Sequence, residues 1–156
     1  MDYFQARRYD QAIEQERKTL DLDPNFIFAH DTIGDAFAQK SMIKEGIAEF
    51  EKSLADIPGD PITLSLLGRA YALQGRRAEA EKVLDQMNEL SKREYVPPFL
   101  RAVIYGALGE KDKAFEWLDK SVDEHFASHV KTSPDFDPLR QDPRFTDVLR
   151  RMNLQL

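Results

Sequence analysis

Position 37 of this chain is copied in kind at positions 3, 71 and 105: Phe37 answers to Tyr3, Tyr71 and Tyr105 at a constant spacing of 34 residues. In the same register Gly34 falls on Gly68 and Ala102, Gly46 on Ala12, Ala80 and Ala114, and Pro58 on Pro24. A fixed period of this length marks stacked supersecondary units, none of which can bury its apolar face alone. The stretch Ile27 to Pro58 shows the unit whole. An apolar-periodic segment runs to Phe37, a polar break follows at Gln39 to Ser41, and a second periodic segment ends at Pro58.

At about 100° per residue, Ile27, His30, Ile33, Gly34 and Phe37 share one stripe of a helix, and Phe28, Asp31 and Asp35 share another roughly 140° away. The first stripe is the expected core, with His30 a packed, hydrogen-bonded residue within it. Gly34 and Gly68 lie inside helices, where glycine costs about 1 kcal/mol against alanine, so close approach of a partner helix must compensate. Ala12, Ala80 and Ala114 supply the matching small contact, and Phe50, Leu84 and Leu118 fill the space beside it. Gly46 departs from that alanine pattern, and Gly46→Ala is expected to stabilise by up to about 1 kcal/mol.

The other units follow the same plan. Met1 to Arg8 reads as the tail of a helix whose earlier turns are absent, so a piece of a longer protein is expected, the alternative being an atypical first repeat. Tyr9 to Leu22 forms its second helix, stopped at Asp23-Pro24. The third unit opens at the N-cap Asp60-Pro61, turns at Gln74-Gly75 and closes over Arg76 to Ser91. The fourth opens at Pro97-Pro98, turns at Leu108 to Glu110 and closes over Lys113 to Glu124. Arg101 interrupts its apolar stripe, so that helix is expected to be rotated or shifted. The repeats thus occupy residues 1–24 (partial), 27–58, 61–91 and 95–124 within a region 1–124, and 125–156 form a loop and a capping helix. Connections of a few residues force antiparallel neighbours.

After His125 the period fails. Ala127 to Asp135 is expected to be a loop with a turn of helix, and Asp137-Pro138 and Asp142-Pro143 each read as a helix start. The second begins a helix from Arg144 to Asn153 whose Phe145, Val148, Leu149 and Met152 would cover the exposed apolar face of the last repeat. Trp117 is expected in the core between that repeat and the cap.

These markers resemble the tetratricopeptide repeat family: Gly34, Phe37, Phe50, Ser53 and Pro58, then Leu64, Leu67, Gly68, Tyr71 and Ala80, then Tyr105 and Ala114. The resemblance covers about Tyr3 to Glu124. The family's early tryptophan is replaced by His30, Leu64 and Pro98, and its closing proline by Lys92 and Phe126. The resemblance implies an all-α, right-handed α-solenoid of antiparallel helix hairpins with a C-terminal capping helix. The final stretch, Phe136 to Met152, is similar to the tails of large bacterial signalling and regulatory proteins, which implies a bacterial source and an upstream effector domain.

Carried over by position, the family's concave groove is Phe28, Asp31, Thr32 and Asp35, then Ile62, Ser65 and Arg69, then Phe99 and Val103. It lacks the Lys/Asn set with which some members clamp a C-terminal carboxylate, and Asp31 and Asp35 would repel one. A protein or peptide segment with apolar anchors and one or two basic residues suits it better. The competing expectation is that Asp31 and Asp35 form a solvated face and Phe99 is covered by its own neighbours. A second function class is self-association, through an apolar patch of Tyr3, Tyr9, Ile13 and Leu20.

Composition removes other classes. A net charge of -6, with basic residues scattered among acidic ones, argues against nucleic acid. No apolar stretch is long enough for a membrane span, and no secretory signal opens the chain. Cysteine is absent, which leaves a cytoplasmic location as the expectation. No enzyme is expected: phosphate-loop, zincin and nucleophile-elbow motifs do not occur. His125 and His129, four apart beside Asp123 and Glu124, have a metal-compatible spacing but no convincing third ligand, so neither metal nor cofactor is assigned.

Overall fold

The computed structural model describes residues 3–122 and 127–153, and the side chains of these apart from 127–129. Among them there is no strand. The helices are α1 (Tyr9–Leu22), α2 (Ile27–Gln39), α3 (Ile43–Asp56), α4 (Pro61–Leu73), α5 (Arg77–Leu90), α6 (Phe99–Ala107), α7 (Lys111–Lys120), α8 (Ala127–Thr132) and α9 (Pro143–Arg151), with a 3-10 helix at Pro134–Leu139. α2 pairs with α3, α4 with α5 and α6 with α7, and the first helices α2, α4 and α6 stack on one another in order. The result is the expected solenoid of helix hairpins.

The 34-residue period has a backbone counterpart. Arg7, Ser41, Gly75 and Gly109 all adopt positive φ, at 58°, 63°, 73° and 77°. At each, the N–H of the next residue donates to the carbonyl of the periodic aromatic: Arg8 to Tyr3 at 2.8 Å, and Met42 to Phe37, Arg76 to Tyr71 and Glu110 to Tyr105 at 2.9 Å. The bond of shorter sequence span beside it, such as Ser41 N–H to the Ala38 carbonyl at 3.0 Å, completes the Schellman termination. Residues 3–8 therefore turn in the same way as the end of a first helix.

Gly34 meets its partner helix as expected, Gly68 makes room chiefly for the next first helix, and Gly46 needs a correction. A Cβ on Gly34 would stand 2.6 Å from the Phe50 ring, and one on Gly68 would stand 2.6 Å from Ile104 Cδ1. Gly46, however, is not a weak point: a Cβ there would lie 2.7 Å from the Gly34 carbonyl oxygen. The α2–α3 crossing is closer than the alanine pattern implied, because two glycines face each other.

Arg101 breaks the apolar stripe of α6 because it serves α5. Its guanidinium is buried, donates to the Met87 carbonyl at 2.8 Å and to Asn88 Oδ1 at 3.0 Å, and lies 4.5 Å from the Trp117 ring centre. It thus satisfies the Met87 carbonyl in the last turn of α5, where a cation is favoured. Trp117 is only half-buried, since Lys120 Nζ also sits 3.8 Å from its ring; it is a platform for cations and not core as expected. His30 is hydrogen-bonded to Glu49 at 2.6 Å.

The C-terminal region departs most from expectation. α7 begins at Lys111, before Lys113, and ends at Lys120. Asp137-Pro138 does not start a helix. The start lies earlier, where Ser133 Oγ accepts from Asp135 N–H, and Pro138 falls inside the 3-10 helix, whose bonding tolerates it. Asp142 does cap α9, accepting from Arg144 N–H. Phe145, Val148, Leu149 and Met152 are buried against the last hairpin. Arg144 and Arg151 tie α9 to Asp112 and Asp119 of α7 at 2.8 and 2.7 Å.

The expected apolar patch at the N-terminus is also largely covered. Ile13 is buried with Ile33 and Ala36 of α2, and Phe4, Tyr9, Leu20 and Phe37 close around them. Phe4 meets Tyr9 edge-on, with ring centres 5.6 Å apart. His125 and the His129 side chain lie outside the described residues.

Candidate functional site

The first helices α2, α4 and α6 present a common face, and the chain's own C-terminal segment lies across half of it. Phe99 and Val103 of α6 are buried in one cluster with Val130, Phe136 and Leu139. Phe136 is fully buried because its ring fills space that an open stack would leave to solvent. The segment is also tied by polar groups. Arg140 braces the segment internally, donating to the carbonyls of Lys131 and Ser133 at 2.8 and 2.7 Å, and Arg7 ties it to the N-terminal turn by reaching Asp137 at 2.8 Å.

Asp135 carries this contact onto the other two first helices. Arg69 Nε of α4 lies 3.3 Å from Asp135 Oδ1, and Gln39 Nε2 of α2 donates to the same oxygen at 3.3 Å. Arg69 also donates through Nη1 to Asp35 of α2 at 3.2 Å. Two buried carboxylates thus share one buried guanidinium. Burial and the neighbouring Asp135 push the Asp35 carboxyl well above the ordinary carboxylate range, against the pull of Arg69. Asp31, one turn earlier, is raised by burial as well, opposed by the hydroxyls of Ser53 and Thr63. Thr63 Oγ1 stands 2.8 and 3.0 Å from the two Asp31 oxygens.

The surroundings of these residues differ from the expected ones. Asp31 and Asp35 are not a solvated face: they are 5% and 6% exposed. Ser65 bridges two first helices, its hydroxyl donating to the Leu100 carbonyl at 2.8 Å. Phe99 and Val103 are covered by the chain itself. Phe28 and Ile62 remain open, at 53% and 44% exposure, and Thr32 is half-buried between them.

Those three residues border a cleft of about 380 Å³ at the N-terminal end of the face. It is lined by Phe28, Ile62, Leu66, Tyr3, Phe4 and Ala12 and by the polar Gln5, Gln15 and Glu16, together with the buried carboxyls of Asp31, Asp35 and Asp135. Asp135 was not legible as a site residue, its one signal being an apolar Phe136 within an aperiodic stretch. Phe4 could have been found from its place beside the periodic Tyr3.

Residues 62–97 match the tetratricopeptide repeat family model. The match spans α4, α5 and the connection to α6, and so includes Ile62, Ser65, Leu66 and Arg69 of the face. The chain is also similar to the crystal structure of MamA, at 18% sequence identity and a TM-score of 0.52, over 98% of this chain and 94% of that one. At that identity the likeness speaks to the fold, a tetratricopeptide-type stack over nearly the whole length. No curated protein sequence matches the chain. No helix among the described residues is long and apolar enough to cross a membrane, and no group of three or more His, Cys, Asp or Glu side chains among them could hold a metal ion.

Proposed function

We propose that this chain is a non-catalytic protein-interaction scaffold that holds a peptide segment of a partner protein on the concave face of its first helices. The observation that carries this is the division of that face. Its α6 half is filled by the chain's own Phe136 and Leu139, and its α2 half keeps an open cleft with Phe28 and Ile62 exposed at the mouth. Large apolar side chains held at the edge of a preformed concavity are what a partner's anchor residues bury. A stacked-hairpin fold presents such a surface rigidly, so little ordering cost falls on the scaffold.

The test is selection of binders from a displayed random-peptide library on the immobilised full chain, followed by titration against Phe28→Ala combined with Ile62→Ala. Both side chains are largely exposed, so the variant is expected to fold. The reading requires a loss of affinity of about tenfold or more, the scale on which an interface anchor acts. Unchanged affinity for every selected peptide would sink it.

A further inference from the structure

The cleft has a charge imbalance that its own fold does not resolve. Asp31, Asp35 and Asp135 are all buried at it, and the buried cation among them is the single guanidinium of Arg69, shared between Asp35 and Asp135 at 3.2 and 3.3 Å. Asp31 is met by the Thr63 hydroxyl. A buried carboxylate held mainly by hydroxyls keeps much of the cost of its lost hydration, which a cation at contact distance would offset. In the low-dielectric wall of a cleft that attraction is stronger than at an open surface.

The walls add a shape requirement. Phe28 and Ile62 are the exposed apolar residues of the lining and Asp31 is buried in it, so a group seated there meets apolar surface as well as charge. A side chain with an aliphatic stem and a cationic tip meets both demands, because the stem covers ring and methyl surface while the tip keeps its hydrogen bonds. A volume of about 380 Å³ lies at the small end of ligand sites, which run from about 300 to about 1,000 Å³. It has room for one inserted side chain of a partner segment. A carboxylate or phosphate is repelled by the same groups.

We infer that the cleft between Phe28, Ile62 and Asp31 receives one lysine or arginine side chain of an extended partner segment, and that this charge determines which segments bind. The inference rests on the concave-face reading above and names the chemistry of its occupant.

The experiment uses the isotope-labelled full chain and four synthetic peptides, identical in their Phe and Leu anchors and differing at one central position: Lys, Arg, Gln or norleucine. The Lys and Arg peptides are expected to shift the amide signals of Phe28, Thr32 and Ile62 and to bind at least about tenfold more tightly than the Gln and norleucine peptides. Raising the salt concentration should narrow that gap. Asp31→Asn, which keeps an oxygen for the Thr63 hydroxyl, should reduce it to within about threefold, and Glu16→Gln, in another residue lining the cleft, provides a second variant if the first unfolds. Equal binding of the Lys and norleucine peptides overturns this inference and leaves the concave-face reading standing. Failure of all four to move those three signals overturns both.

Discussion

The carbonyl oxygen of Gly34 stands so close to Gly46 that a Cβ on Gly46 would lie 2.7 Å from it. Two helices meet here backbone to backbone, and the contact cannot be relieved by rotating a side chain. Gly46→Ala gains about 1 kcal/mol in helix propensity and forces α2 and α3 apart, for which overpacking costs of about 1–3 kcal/mol are usual. The expected net result is a loss of stability, read as a lower denaturation midpoint. A gain would mean that the hairpin can widen freely.

Ser41 occupies, with φ of 63°, the turn position that glycine holds at 75 and 109. A side chain in the left-handed region costs about 1–2 kcal/mol, which glycine avoids. Ser41→Gly should therefore stabilise the chain by about 1 kcal/mol. The measurement is the shift in urea midpoint at unchanged slope, and no shift would indicate that the serine hydroxyl offsets its own strain.

Arg69 is the shared partner of Asp35 and Asp135, so its loss leaves two buried carboxylates together. Arg69→Met should cost about 3–5 kcal/mol, the usual consequence of breaking a buried pair from one side. Asp35→Asn should behave oppositely, since it leaves Arg69 and Asp135 paired one to one. Burial and Asp135 raise the Asp35 carboxyl in the folded state. Its stabilising contribution is therefore complete below the ordinary carboxylate pKa and is lost as pH rises through the raised folded value. Asp35→Asn should melt higher than the parent chain at neutral pH, with the difference shrinking in acid. A variant that melts lower at neutral pH would show that the Asp35–Arg69 bond outweighs the repulsion.

Phe136 is fully buried, with its ring centre 6.3 Å from that of Phe145. Phe136→Ala should cost about 3–5 kcal/mol, the range for deleting a core aromatic. Amide exchange should rise first around Val130 and Leu139, because the segment that Phe136 anchors is held to the stack by that ring. Uniform protection after the substitution would contradict this arrangement.

The helix hairpins were readable because their determinants are local and repeated. A glycine or alanine at a helix contact, an aromatic one turn before a left-handed residue, and an Asp-Pro start each act within one turn of chain. That Phe28, Thr32 and Ile62 would share one surface was readable for the same reason. Gly46 misled because its sequence neighbours report helix propensity, whereas its value lies in the Gly34 carbonyl twelve residues away in the chain.

The period and polarity of the sequence alone determined a stack of antiparallel hairpins with a covering C-terminal helix. Only the tertiary structure decided how much of the concave face stays open. Asp135 is 66 residues from Arg69 and 100 from Asp35, and no local pattern encodes their meeting. That meeting arises because the last hairpin leaves an apolar surface that Phe136 and Leu139 bury. In doing so they carry Asp135 onto the neighbouring helices, where one guanidinium binds two carboxylates and the remaining cleft is left acidic.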